Sequence, residues 1–207
     1  GAANGTIELN DPNYRECSFK KLDIYEALTL APEPDVSYKE FYMFDSADID
    51  SWNDGDGYAD AGETIDLGIV LRNRWGGASD VRVSTDALSE GGIEDPYVSI
   101  IEGTVDYGSV GTYSEDDNGL IYEEDMITGV SSPFRIKISK DAPNDHVVKL
   151  NVAIEAKNGM DGSDNESYIS ADEISFVIQN GRKISGVIRE DTTLTNDHYW
   201  IVDNAIL

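Results

Sequence analysis

The chain has 207 residues, 40% of them hydrophobic and 9% aromatic, and its 41 Asp and Glu face only 15 Lys and Arg, for a formal net charge of −26 and a pI near 4.1. The apolar content rules out a disordered acidic tail, and the charge points away from nucleic acid and anionic membrane surfaces, which are bound through clustered Lys and Arg. The single cysteine, Cys17, permits no intrachain disulfide and has no CxxC or histidine context, so it reads as a small hydrophobe or free thiol.

The first residues, "GAANGTIELN", lack a Met and a charged-then-apolar leader, and are read as the start of a mature or recombinant fragment whose signal peptide is gone. No apolar run reaches the length of a membrane helix. Residues 1–35, with "RECSFKKLDIYEAL" and a closing "APEPD", are read as an N-terminal extension or linker. From there to residue 181 the apolar residues recur with period two, the pattern of strands. "YKEFYMF" (38–44) is the first, with Tyr42 and Phe44 expected in the core. "TIDLGIVLRN" follows and points Ile65, Leu67, Ile69 and Leu71 to one face as a half-buried strand. Then come "DVRVST" (80–85), "YVSII" (97–101), "PFRIKIS", "HVVKLNVAIEA" and "ISFVIQN" (174–180).

Gly, Asn, Asp and Pro clusters separate these strands. "RNRWGGASDVRV" reads as a strand, a Gly-rich turn and a returning strand, and "KDAPNDHVVKL" as a turn entered through Pro143. About seven strands over residues 36–181 predict an all-β, immunoglobulin-like β-sandwich with extra terminal strands. Residues 182–207, which stop on an apolar residue in mid-pattern, are expected to lead on into a further domain.

The strongest chemical signal is "DSADIDSWNDGDGYADAGETIDL" (45–67), with six Asp in its first sixteen positions. At an effective dielectric of 20, two carboxylates 4 Å apart repel by roughly 4 kcal/mol, so a folded loop of this kind calls for a counter-ion. Calcium takes six to eight oxygens, and helical calcium loops supply them as D-x-[DN]-x-[DN]-G-x5-E. Aligned on Gly57, that pattern places Asp54, Asp56, Asp60 and Glu63 at ligand positions and Trp52 at the first one, so Asp50, Asn53 or a backbone carbonyl must stand in there. Because a strand starts directly after Glu63, the ion would pin a loop to a strand rather than join two helices.

"NDGDGYADAGETIDLGIVLRNRWGGASDVRVS" resembles the Asn-Gly-Asp-Gly…Gly-Glu opening of CARDB-like, immunoglobulin-type modules of secreted and surface proteins of bacteria and archaea. Asn53, Asp54, Gly55, Asp56, Gly57, Gly62, Glu63 and Asn73 carry the likeness. Where that family commonly has Pro before Gly-Glu, this chain has Ala61, a change expected only to loosen the turn. The tail, "ISGVIREDTTLTNDHYWIVDNAIL", is similar to the opening strand of right-handed parallel β-helix domains, which implies that Tyr199, Trp200 and Ile201 pack in the cap of such a helix.

Two further acidic stretches are weaker. Asp161, Asp164 and Glu166 of "NGMDGSDNES" could serve a second cation, although the spacing lacks a closing Glu, and "YSEDDNGLIYEED" (113–125) reads as a surface loop. No nucleophile, metalloprotease or phosphate-loop motif is present, His146 and His198 lack a paired ligand in sequence, and no carboxylate pair is singled out, so no enzyme is expected. The sequence thus predicts a non-catalytic, calcium-stiffened connector of a secreted or cell-surface protein whose partners are neighbouring domains of the same chain. The alternative is an adhesin module binding carbohydrate or protein through Trp52 and Tyr58, with the competing expectation that Trp52 merely shields the acidic loop.

Overall fold

The computed structural model describes residues 3–9, 17–22, 32–89, 92–158, 167–189, 191–194 and 200–206, and the chain divides into two compact units, Gly1–Pro32 and Glu33–Leu207. In the first, β1 (Ala3–Leu9) and β2 (Cys17–Leu22) pair antiparallel, with Ile7 opposite Phe19. The second unit continues with β3 (Val36–Phe44), β4 (Thr64–Asn73), β5 (Ala78–Ser89), β6 (Ile93–Glu94), β7 (Val98–Glu102), β8 (Thr104–Val110) and β9 (Glu115–Asp117). After them come β10 (Leu120–Glu123), β11 (Met126–Val130), β12 (Phe134–Ile138), β13 (Val147–Asn158), β14 (Ser167–Val177), β15 (Arg182–Val187) and β16 (Trp200–Ile206). No helix occurs among the described residues, and none is long and apolar enough to cross a membrane.

Two antiparallel sheets form a sandwich: β3-β4-β12-β7, with β9 also on β4, and β14-β13-β5-β6, with β8 also on β5. Taken along the chain, the first sheet has the A-B-E-D order of an immunoglobulin sandwich and β5, β13 and β14 take its C, F and G places. The chain changes sheets between β7 and β8 at Gly103, whose carbonyl accepts from Thr85 N at 2.8 Å and where Ile100 leaves no room for a Cβ. Inward residues of both sheets, among them Ile65, Leu67, Ile69, Leu71, Phe134, Ile136, Leu150 and Ile154, are fully buried. Each such side chain stabilises the fold by about 1.5–3 kcal/mol.

The structure departs from simple alternation in four places. β4 and β5 do not form a hairpin across "RNRWGGASDVRV": they lie in opposite sheets, because β3 takes one edge of β4 and β12 with β9 take the other. β4 is buried on both faces rather than one. On its outer face Arg135 donates twice to the Asp66 carboxylate, at 2.6 and 2.8 Å, and Leu120 lies so close over Gly68 that a Cβ there would displace it. A bulge between Tyr38 and Glu40 flips the pleat of β3, so Tyr38, Phe41 and Met43 pack on the core while Tyr42 and Phe44 fall on the other face.

The fourth departure is at 113–125, which is not simply a surface loop. β12 covers β4 only from Thr64 to Leu67 and β9 only from Val70 to Arg72, and buried Asn118 fills the gap between them. Its Oδ1 accepts from Ile69 N at 2.7 Å, and its Nδ2 donates to Leu67 O at 3.0 Å and Ser132 O at 2.7 Å. Tyr107 Oη donates to Ile69 O at 2.9 Å, so both backbone groups of Ile69 are satisfied by side chains. An unpaired buried backbone group costs about 1–3 kcal/mol. Asn118→Ala is therefore expected to lower unfolding stability by about 2 kcal/mol or more, read as a shifted urea midpoint with an unchanged slope.

Candidate metal centre

The loop between β3 and β4 is built from short-range carboxylate turns. Asp50 Oδ1 accepts from Trp52 N at 3.1 Å, Asp54 Oδ1 from Asp56 N at 3.2 Å, and Asp56 Oδ1 from Tyr58 N at 2.9 Å. Each Asp thereby bends the chain two residues on, which is why Asp suits this stretch independently of any ion. The turn that closes on β4 has Glu63 N donating to Asp60 O at 3.2 Å, with Gly62 at φ 91°, a value L side chains rarely take.

The segment after β14 holds the loop from the other side. Ala59 forms a bridge with Ile178, Gln179 N donates to Ala59 O at 3.0 Å, and Gly181 N donates to Asp60 Oδ1 at 3.0 Å. Ala61 N donates to Asn180 Oδ1 at 2.8 Å. The Ala at this position is thus more than a loosened turn, since a proline has no N–H to make that bond.

This framework gathers five carboxylates. One ligand oxygen each from Asp45, Asp54 and Glu63 lie within 4.8 Å of one another, and so do oxygens of Asp54, Asp56 and Asp60. Asp54 belongs to both groups. Glu63 is only 2% exposed, and its two oxygens accept from Asp54 N at 3.1 Å and Asp60 N at 3.0 Å. Buried Asp45 accepts from Gly57 N at 3.1 Å. Among the described residues no Lys or Arg pairs with Asp45, Asp56, Asp60 or Glu63. This buried cluster can hold a metal ion, and its all-oxygen donor set suits a hard cation.

Two expected ligands are used elsewhere. Asp50 Oδ2 accepts from Lys137 Nζ at 2.5 Å and Thr64 Oγ1 at 2.7 Å, and these bonds hold its carboxyl far below the usual carboxylate range. Asn53 donates through Nδ2 to Thr64 O at 2.7 Å and Ser46 O at 3.2 Å, while its Oδ1 accepts from Thr64 N at 3.0 Å. It acts as a one-residue strand partner for Thr64. Asp45 was missed because it lies outside the twelve-residue loop pattern. It joins the cluster because the β3–β4 register, with Phe44 opposite Asp66, sets it beside the first turn of the loop's exit.

Asp161, Asp164 and Glu166 lie outside the described residues, as do His198 and Tyr199. Trp52 and Tyr58 are each 44% exposed, and Lys140 Nζ stands 3.6 Å from the centroid of the Trp52 ring. That cation–π contact covers one face of the ring.

The electrostatics oppose the geometry in the metal-free protein. Burial first, then the neighbouring carboxylates, pushes Glu63 up to about 8 and Asp60 up to about 7. Both values exceed those of the unfolded chain, near 4, so the folded state binds protons that the unfolded state releases.

No family model matches the chain, and no curated protein matches it. Among solved structures, a family 123 glycoside hydrolase from Clostridium perfringens, described for glycolipid glycan hydrolysis, is similar over 73% of this chain and 28% of its own, at 15% identity and a TM-score of 0.30. The chain spans just over a quarter of that enzyme's length, and so loose a likeness assigns no activity to it.

In EDTA, stability should be highest near pH 5 and fall as pH rises toward 8, the opposite of the usual behaviour of paired carboxylates. Thermal melts across that range check this, and Glu63→Gln should flatten the fall.

Proposed function

We propose that this chain is a calcium-stiffened, non-catalytic connector module of a secreted or cell-surface protein. The observation that carries the reading is where the carboxylates sit. Asp60 holds the backbone of Gly181, the residue immediately before β15, while Glu63, the residue immediately before β4, holds the backbone of Asp54 and Asp60. An ion held by Asp54 together with Asp56 and Asp60 would fasten the loop of the sandwich to the segment that enters β15, and the second group, Asp45, Asp54 and Glu63, lies directly beside it. Calcium suits these donors because it accepts many carboxylate oxygens in irregular geometry, and sites in extracellular modules bind it at about 10⁻⁴–10⁻³ M. At such affinity the ion would be held outside a cell and absent from a cytosol.

The exit segment supports the connector role. β15 and β16 pair in parallel, with Arg182 opposite Trp200 and Val187 opposite Ile206. The chain returns beside itself after about 18 residues, close to the shortest crossover that parallel strands allow. The described part of the connection contains no helix. That is the pairing one coil of a parallel β-helix makes, in line with the resemblance of the tail, and it supports neighbouring domains of the same protein as the partners.

Calcium at a hundredfold over its dissociation constant should add about 2.7 kcal/mol, raising the melting temperature by about 5–10 °C over EDTA. Asp54→Ala or Asp45→Asn should abolish the rise, and Asp50→Ala, which lowers the baseline melt, should leave the rise intact. A melt identical with and without calcium would overturn the reading.

A further inference from the structure

The first and last strands of the sandwich are tied to each other across the gap between its sheets. β3 is the edge of one sheet and β14 the edge of the other. Ser170 Oγ donates to Val36 O at 2.7 Å, and Tyr38 N donates to Asp172 Oδ2 at 2.9 Å, so two side chains of β14 bind the backbone of β3. These contacts advance by two residues on both strands, which means that β3 and β14 run the same way. The chain therefore enters the sandwich at Val36, beside Asn73, and leaves it past Val177, beside the carboxylate cluster, roughly 30 Å further along the strand direction.

Both ends are fastened beyond the strands. On entry, Gly76 N donates to Glu33 O at 2.9 Å, Arg74 N to Asp35 O at 3.0 Å, and Asp35 N to the Oδ1 of fully buried Asn73 at 3.1 Å. On exit, Ile178 N donates to His146 O at 2.9 Å, Asn180 N to Asn144 Oδ1 at 2.9 Å and Asn180 Nδ2 to Ala142 O at 3.0 Å. These add to the bonds that already join residues 179–181 to the acidic loop.

We infer that the module bears tension applied between its entry at Glu33 and its exit at Gly181, with Ser170 and Asp172 as cross-ties between the two loaded strands. The inference rests on the connector reading, since neighbouring domains are what would pull. Tension along that line draws β3 and β14 in opposite directions along their own axes. β3 can then leave only by sliding along β4, and β14 only by sliding along β13, with which it pairs without a break from Ser167 to Val177. Sliding loads every bond of a ladder together, whereas pulling one end sideways breaks them in turn. At about 0.5–1.5 kcal/mol net per bond, the first is one high barrier and the second a series of low ones. Tyr38, Phe41 and Met43 must also be dragged past the core as β3 slides. The cross-ties resist only this motion, because they join the two strands that move apart, and the bond to the Asp172 carboxylate is of the stronger, charge-assisted kind. Forced unfolding is set by the unfolding rate, so where bonds lie relative to the pull matters more than their sum.

The test is single-molecule force spectroscopy of the full chain in calcium, with Cys17→Ser and engineered cysteines as handles. Glu33→Cys with Gln179→Cys pulls the sandwich lengthwise, and Val147→Cys with Gln179→Cys, all three at exposed positions, unzips β13 from β14 at one end. The lengthwise unfolding force should be at least about twice the unzipping force. Ser170→Ala combined with Asp172→Ala should speed lengthwise unfolding at fixed force about tenfold and unzipping by less than about twofold. Asp172→Asn, whose amide oxygen still accepts from Tyr38 N, should keep most of the resistance. Equal forces in the two geometries, or a double substitution that leaves lengthwise unfolding unchanged or speeds both geometries alike, would each overturn the inference. The melt in calcium and EDTA is made without load: a lost calcium response leaves the force ratio standing, and equal forces leave the calcium response standing, so the two readings fail separately.

Discussion

Much of the structure follows from the mutual repulsion of five carboxylates held against the start of one strand. Within each group of three the ligand oxygens lie within 4.8 Å of one another, and at an effective dielectric of about 20 two ionised carboxylates so placed repel by roughly 3 kcal/mol or more. The loop nevertheless closes, because Glu63 accepts two backbone N–H groups and Asp60 a third, contacts that favour the ionised form. Backbone geometry thus asks for anions that burial penalises. A proton or a divalent cation resolves the conflict, and only the cation leaves every oxygen free to accept.

β4 is where these demands meet, and three asparagines let it stay in place. An Asn side chain offers a donor and an acceptor on one rigid amide, so it can replace a missing strand partner. Asn53 does this for Thr64 at the acidic end, Asn118 for Leu67 and Ile69 in the middle, and Asn73 for the turns beyond the last residue. With both faces buried and both edges occupied, β4 transmits position along its length. The carboxylate cluster, the Asp66–Arg135 pair and the entry segment that Asn73 holds all take their places from it.

Two basic residues at the rim of the loop are committed to structure: Lys137 is held by Asp50, and Lys140 lies over Trp52.

The strands, the sandwich and the acidic loop were legible because period-two alternation and Gly-Asp punctuation are local properties. Asp54, Asp56, Asp60 and Glu63 were found because their spacing along one loop is itself the signal. The placement of Asp50 and Asn53 was not legible, since whether an acid or amide faces the cluster or a neighbouring strand depends on Lys137, more than eighty residues away, and on the backbone of Thr64. Asp45 depended on the β3–β4 register, which a bulge near Lys39 resets without any mark in the local pattern. The edge-to-face contact of Trp75 with Tyr113 was invisible for the same reason: the two rings belong to separate turns that Asn73 and the β5–β8 pairing bring together. By itself the sequence determined which segments are strands and which loop is acidic, because backbone preference and charge act over a few residues. The tertiary structure alone decided which carboxylates share a centre and which rings meet, because hydrogen-bond registers between distant strands choose those neighbours.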